Sequence, residues 1–207
     1  MTSAPPVAPG DVRLVALLRG VNVGGRTIPM AELRAVAAAT GARAVRTVLA
    51  SGNLLLDVGA QEPLPSVRTR LEAAIGEAFG YDAHLALLPL ELATALAGAV
   101  PWPDDDAAHG YVVVSTTPGL LAEASAAATR PTPGPGDAAT GDTATADEAW
   151  QAPPAALSAR LAAVGLDALL WRCPRGASLS TPLATTLGRA RYRAATTRNV
   201  RTLRRLA

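Results

Sequence analysis

Apolar runs and helical stripes alternate along the first half of the chain. Val12 to Leu18 is a short apolar run bounded by Gly-rich sequence, the pattern of a buried strand. The Gly-rich loop Gly20-Val21-Asn22-Val23-Gly24-Gly25 follows it. Pro29 suits a first helical turn, where its missing N–H is no loss, and Met30, Leu33, Val36 and Ala37 repeat at helical spacing until Gly41. Two strand-like runs, Ala44 to Leu49 and Leu54 to Val58, flank Ala50-Ser51-Gly52-Asn53. Its Gly and Asn tolerate the positive φ of a hairpin turn. Val67, Leu71, Ala74, Ile75 and Ala78 form the next helical stripe, closed near Gly80, and Ala83 to Leu88 reads as a fourth strand. The order βαββαβ predicts a ferredoxin-like antiparallel sheet of strand order 4-1-3-2, with two helices on one face.

The second half carries weaker signals. Leu90 to Val100 reads as a helix, after which Pro101-Trp102-Pro103-Asp104-Asp105-Asp106 breaks regular structure. A boundary there gives a disordered tail over 1–10, a ferredoxin-like subdomain over 11–102 and a smaller α+β subdomain over 103–207. Within the latter, Tyr111 to Ser115 and Leu166 to Cys173 predict strands, whereas Pro118 to Ala128, Pro154 to Val164, Pro182 to Leu187 and Thr197 to Leu206 predict helices. Residues 130–145 are Pro, Gly, Thr and Ala with few large apolar side chains, too little to offset ordering entropy, and predict a mobile loop.

Composition narrows the class. A chain of 207 residues accommodates one large or two small domains, since domains run from about 50 to 200 residues. One Phe, three Trp and three Tyr leave the core to Leu, Val and Ala. No window approaches the ~20 apolar residues of a membrane span, and the N-terminus lacks the basic and apolar segments of a secretory signal, so the expected address is the cytoplasm. The lone Cys173 excludes an internal disulfide and a cysteine-cluster metal site. Neither cofactor nor metal is expected, and no oligomeric state follows from the sequence.

Charge is lopsided along the chain. Nine Arg and no acid follow Asp167, whereas the first 167 residues hold ten Arg and all seventeen acids. The basic end suggests an anionic partner. With few aromatics to stack on bases, nucleic acid would bind there weakly and without sequence preference. The opposing expectation is that these Arg pair with the acidic first part. The chain has no Lys, which explains the choice of Arg but not its clustering.

Three blocks carry a resemblance. Val15-Ala16-Leu17-Leu18-Arg19-Gly20-Val21-Asn22-Val23-Gly24-Gly25-Arg26 with Ile28-Pro29-Met30-Ala31-Glu32-Leu33-Arg34, then Arg46-Thr47-Val48-Leu49-Ala50-Ser51-Gly52-Asn53, then Ala195-Thr196-Thr197-Arg198-Asn199, resemble in order the bacterial family called domain of unknown function 1697. The resemblance implies a two-part α+β fold with a ferredoxin-like first half, and no activity. The family usually has an aromatic at Val48, a Gln at Ala50, a Ser-Lys pair near Ser180 and Thr181, and often a Trp at Val200. The aromatic, the Gln, the Lys and the Trp are missing here.

A Gly-rich loop leading to a helix start exposes amides, and Arg19 and Arg26 flank it, a combination that favours an anion. The segment Gly20 to Thr27 is one residue short of a P-loop, and Pro29 delays the helix that would cup phosphates, so that motif is rejected. Strand three starts where strand one ends, which brings Ser51, Gly52 and Asn53 to Arg19, Asn22, Gly24, Gly25 and Arg26. Equally, the glycines serve tight turns and the Asn side chains bond local backbone. Thr197, Arg198 and Asn199 join the candidate ligand-binding set, with Thr197 also expected to cap the last helix. Val200, Leu203 and Leu206 would share that helix's apolar face.

His84 and His109 give no triad or metal centre, Cys173 has no placed base, and Asp104 to Asp106 lack calcium-loop spacing. Three classes remain: a protein binding an anionic, nucleotide-like or phosphorylated ligand, an enzyme acting on a phosphorylated or carboxylated substrate, and an interaction module.

Overall fold

The computed structural model describes residues 6–21, 27–49, 52–103, 105–129 and 148–206. They form two compact units, one running to Ala95 and resuming at Arg201, the other spanning Leu96–Val200.

The first unit is built on β1 (Asp11–Leu18), α1 (Met30–Ala39), β2 (Arg43–Thr47), β3 (Asn53–Gly59), α2 (Leu64–Phe79) and β4 (Leu85–Pro89). Its sheet runs β2-β3-β1-β4, with every pair antiparallel and β1 central, as the βαββαβ order predicts. Alternation along β1 decides the faces. Leu14, Ala16 and Leu18 point to one side and pack with Leu33 and Ala37 of α1 and with Val67, Leu71 and Ile75 of α2. The four-residue spacings in α1 and α2 place these residues on single helix faces. Gly80 ends α2 in the left-handed region at φ +64°, its N–H bonded to Gly76 O at 2.9 Å. On the opposite side of the sheet Val15, Leu17, Leu55, Ala86 and Leu88 are also buried. Arg13 stands across from Asp57 there and grips it with two 2.8 Å bonds. The helix α3 (Leu90–Ala99) follows β4 without a break.

The second unit holds β5 (Ala108–Ser115), α4 (Leu120–Thr129), β6 (Ala149–Gln151), α5 (Ala155–Ala163), β7 (Asp167–Pro174), α6 (Pro182–Leu187), a 3-10 turn (Ala190–Tyr192) and β8 (Ala195–Asn199). Its sheet runs β6-β7-β5-β8, again wholly antiparallel. Numbered within the unit, this is the same 2-3-1-4 order as in the first, with α5 added between the second and third strands. The chain is therefore a tandem of two ferredoxin-like topologies. Val113, Leu169, Trp171 and Cys173 meet Leu121 and Ala124 of α4 and Leu183 and Leu187 of α6 in its core.

Two expectations change at the C-terminal end. Thr197 is not a helix cap but lies in β8, paired with Val113, and α7 (Val200–Arg204) starts three residues later than expected. The β-branched pair Thr196-Thr197 favours a strand, and β5 offers a free edge for it. The helix from Arg201 on also belongs to the first unit, not the second. Val200, Leu203 and Leu206 are buried as expected. The capping threonine is Thr181, whose hydroxyl accepts the Ala184 N–H at 3.2 Å at the start of α6. The expected loop over 130–145 lies outside the described residues. No described helix is long and apolar enough to cross a membrane.

Candidate functional site

One register pair and two backbone bonds assemble one end of the first sheet. Leu17 pairs with Asn53, Leu18 N–H donates to Gly52 O at 2.9 Å, and Arg19 N–H donates to His84 O at 2.8 Å. The residues leaving β1 are thus held between the turn entering β3 and the residue entering β4. Arg19 is partly buried, and loss of solvent lowers its pKa. Asn53 is fully buried and donates through Nδ2 to Val48 O at 3.0 Å, which shapes the β2–β3 turn. Gly52 has φ +70°, and a Cβ on it would lie 2.2 Å from Val21 Cγ2, so the turn rests directly on the start of the Gly-rich loop.

Of the site residues expected from sequence, Arg19, Gly52 and Asn53 come together in this way. Asn22, Gly24, Gly25, Arg26 and Ser51 lie outside the described residues. Thr197, Arg198 and Asn199 belong to β8 in the second unit. Arg198 donates through Nη1 to Thr196 Oγ1 at 3.0 Å and to Thr197 O at 2.8 Å, and burial lowers its guanidinium to about 10.

Two neighbours were not anticipated. Leu49, ahead of the turn, is exposed at 43% and has φ +60°, a conformation that costs a branched side chain roughly 1–2 kcal/mol. An apolar run gives no sign of such a residue. His84 anchors Arg19 through its carbonyl, and its Nε2 lies 3.0 Å from Asp82 Oδ2. Only the strand order brings it to this end of the sheet.

The second unit repeats the scaffold with different chemistry. Thr116 N–H donates to Ala194 O at 3.1 Å, the counterpart of the Arg19–His84 bond. At the turn into α4, however, Gly119 N–H donates to the Asp167 carboxylate at 2.5 Å. Here an acid of the chain itself accepts from the loop between the first strand and first helix.

Grouped by unit, charge is nearly balanced: eleven Arg face eight acids in the first and eight face nine in the second. The contrast between sequence halves is largely undone because Arg201, Arg204 and Arg205 return to the first unit. Arg172 and Arg175 reach Asp105 and Asp106 at 3.5 and 3.1 Å, and Arg191 pairs with Glu123. Arg189, Arg191, Arg193, Arg201, Arg204 and Arg205 are all exposed. Among the described residues no group of three or more His, Cys, Asp or Glu is arranged to hold a metal.

These features define an α+β protein of two ferredoxin-like units. Residues 12–144 match the family described as "Protein of unknown function (DUF1697)", and the chain belongs to that family. The conserved bacterial protein SP0830 from Streptococcus pneumoniae has a similar fold, with a TM-score of 0.63 at 20% identity over 95% of this chain and 96% of that one. None of the curated proteins matches the chain.

Proposed function

We propose that the first unit binds an anionic ligand, nucleotide-like or phosphorylated, at the sheet end formed by Arg19, Gly52 and Asn53. Asn22, Gly24, Gly25, Arg26 and Ser51 adjoin them in sequence and would supply further donors. The observation that carries this reading is Arg19, a cation drawn partly out of water on a backbone fixed by two strands. A desolvated guanidinium gains more from an anion than a solvated one does. The expected setting is the cytoplasm. A thermal-shift series with nucleoside monophosphates and sugar phosphates, run on the wild type and on Arg19→Met, tests it.

His84 supports a second reading, an enzyme acting on a phosphorylated or carboxylated substrate, because its carbonyl bond to Arg19 sets a titratable residue beside the anion donors. Turnover lost in His84→Gln while ligand binding persists would favour it. The exposed Arg201, Arg204 and Arg205 of the first unit support weak, non-specific nucleic-acid binding as a further role. A duplex titration showing affinity that falls as salt rises would support that role.

A further inference from the structure

A second basic site lies in the second unit, on the helix face of its sheet. A groove of about 230 Å³ runs between α4 and the 3-10 turn, lined by Glu123, Ala126, Ala127, Arg189, Arg191 and Tyr192. A hydrogen bond and an ion pair link three of its lining residues. The buried Tyr192 donates its hydroxyl to Glu123 Oε1 at 3.2 Å, and Arg191 pairs with the same oxygen. The Arg191 guanidinium also lies over the Tyr192 ring, 5.9 Å from its centroid. Glu123 therefore holds one arginine against an aromatic wall, while most of that arginine's side chain stays open to solvent at 68%.

Arg189 also lines the groove, exposed, with no acid paired to it among the described residues. Two guanidiniums against one carboxylate leave the groove with a net positive charge. Ala126 and Ala127 keep its α4 side low, so that a compact group can approach. Guanidinium forks match phosphate oxygens in geometry and charge.

We infer that this groove is a second oxyanion site, taking a phosphate group between Arg189 and Arg191. It is independent of the Arg19 site. Glu123 acts as a positioning residue, orienting Arg191 rather than touching the ligand.

The test uses the full chain and inorganic pyrophosphate, followed by amide chemical-shift titration and calorimetry at low salt. The expected result is saturable shifts at Ala126, Ala127 and Tyr192. Arg189→Ala, which removes an exposed side chain, should weaken binding roughly tenfold, the worth of one lost charge-assisted contact. Ala126→Glu, an exposed helix position filled by a good helix former, should abolish the groove shifts. Arg19→Met should leave the groove shifts unchanged. Shifts absent from the groove, or affinity indifferent to both Arg189→Ala and Ala126→Glu, would overturn the assignment. Loss of the groove shifts in Arg19→Met would also overturn it, by showing that they report the first site.

Discussion

Gly52 and Val21 occupy space that only a glycine can share: a Cβ at position 52 would fall 2.2 Å from Val21 Cγ2 and 3.1 Å from Leu18 Cβ. This contact joins the turn before β3 to the loop after β1. Gly52→Ala should therefore lower stability by about 2–4 kcal/mol, combining left-handed strain with displacement of Val21. Adding Val21→Ala should recover part of the loss in a denaturant titration. No recovery would mean that backbone strain alone sets the cost.

The Arg13–Asp57 pair is a two-bond ion pair across the first sheet, with Asp57 only 3% exposed. Asp57→Ala leaves an uncompensated guanidinium and should cost about 3–5 kcal/mol. Arg13→Leu with Asp57→Leu should cost less than the single change. Urea unfolding of the three variants measures the coupling.

The Cys173 thiol is buried, and burial followed by the nearby Glu148 charge pushes it up to about 11. At pH 8 roughly one thiol in a thousand would be ionised, against about a quarter for an ordinary cysteine near 8.5. Reaction with a chromogenic disulfide should be at least a hundredfold slower in the folded chain than in urea. A fast folded-state reaction would contradict this environment.

Asp105 accepts the N–H groups of Ala108 and Ala107 at 2.8 and 2.9 Å, and these bonds, with Arg172 nearby, lower its pKa. A lowered folded-state value contributes stability that is full above the unfolded carboxyl range and disappears as pH falls through the folded value. The stability deficit of Asp105→Ala should therefore be constant above about pH 5 and shrink below the ordinary ~3.9. A deficit that grows on acidification would contradict the assignment of these bonds.

The first unit was legible because each of its elements carries its own signal. Leu33 with Ala37, and Val67 with Leu71 and Ile75, give the helices, and Pro29, Gly41 and Gly80 punctuate them. The repetition of that topology in the second unit was hidden. Its second strand, β6, is three residues long and follows a compositionally blank stretch, while α5 interrupts the pattern. Thr197 reads as a cap because Thr-Thr-Arg-Asn stands before an apolar stripe, and only the free edge of β5 makes it a strand. At the candidate site, the meeting of Arg19 with Gly52 and Asn53 followed from strand order. His84 follows from the same order, since β4 starts beside the end of β1; Leu49 does not, because its significance lies in a positive φ that an apolar run does not signal.

The central claim is tested most directly by calorimetric titration of the intact chain with nucleoside monophosphates and sugar phosphates, the wild type beside Arg19→Met. The account predicts saturable binding of at least one such phosphate to the wild type and a loss of roughly tenfold or more in affinity in Arg19→Met, with its unfolding midpoint retained. Equal affinity in the two proteins, or no binding to a folded wild type, would contradict it.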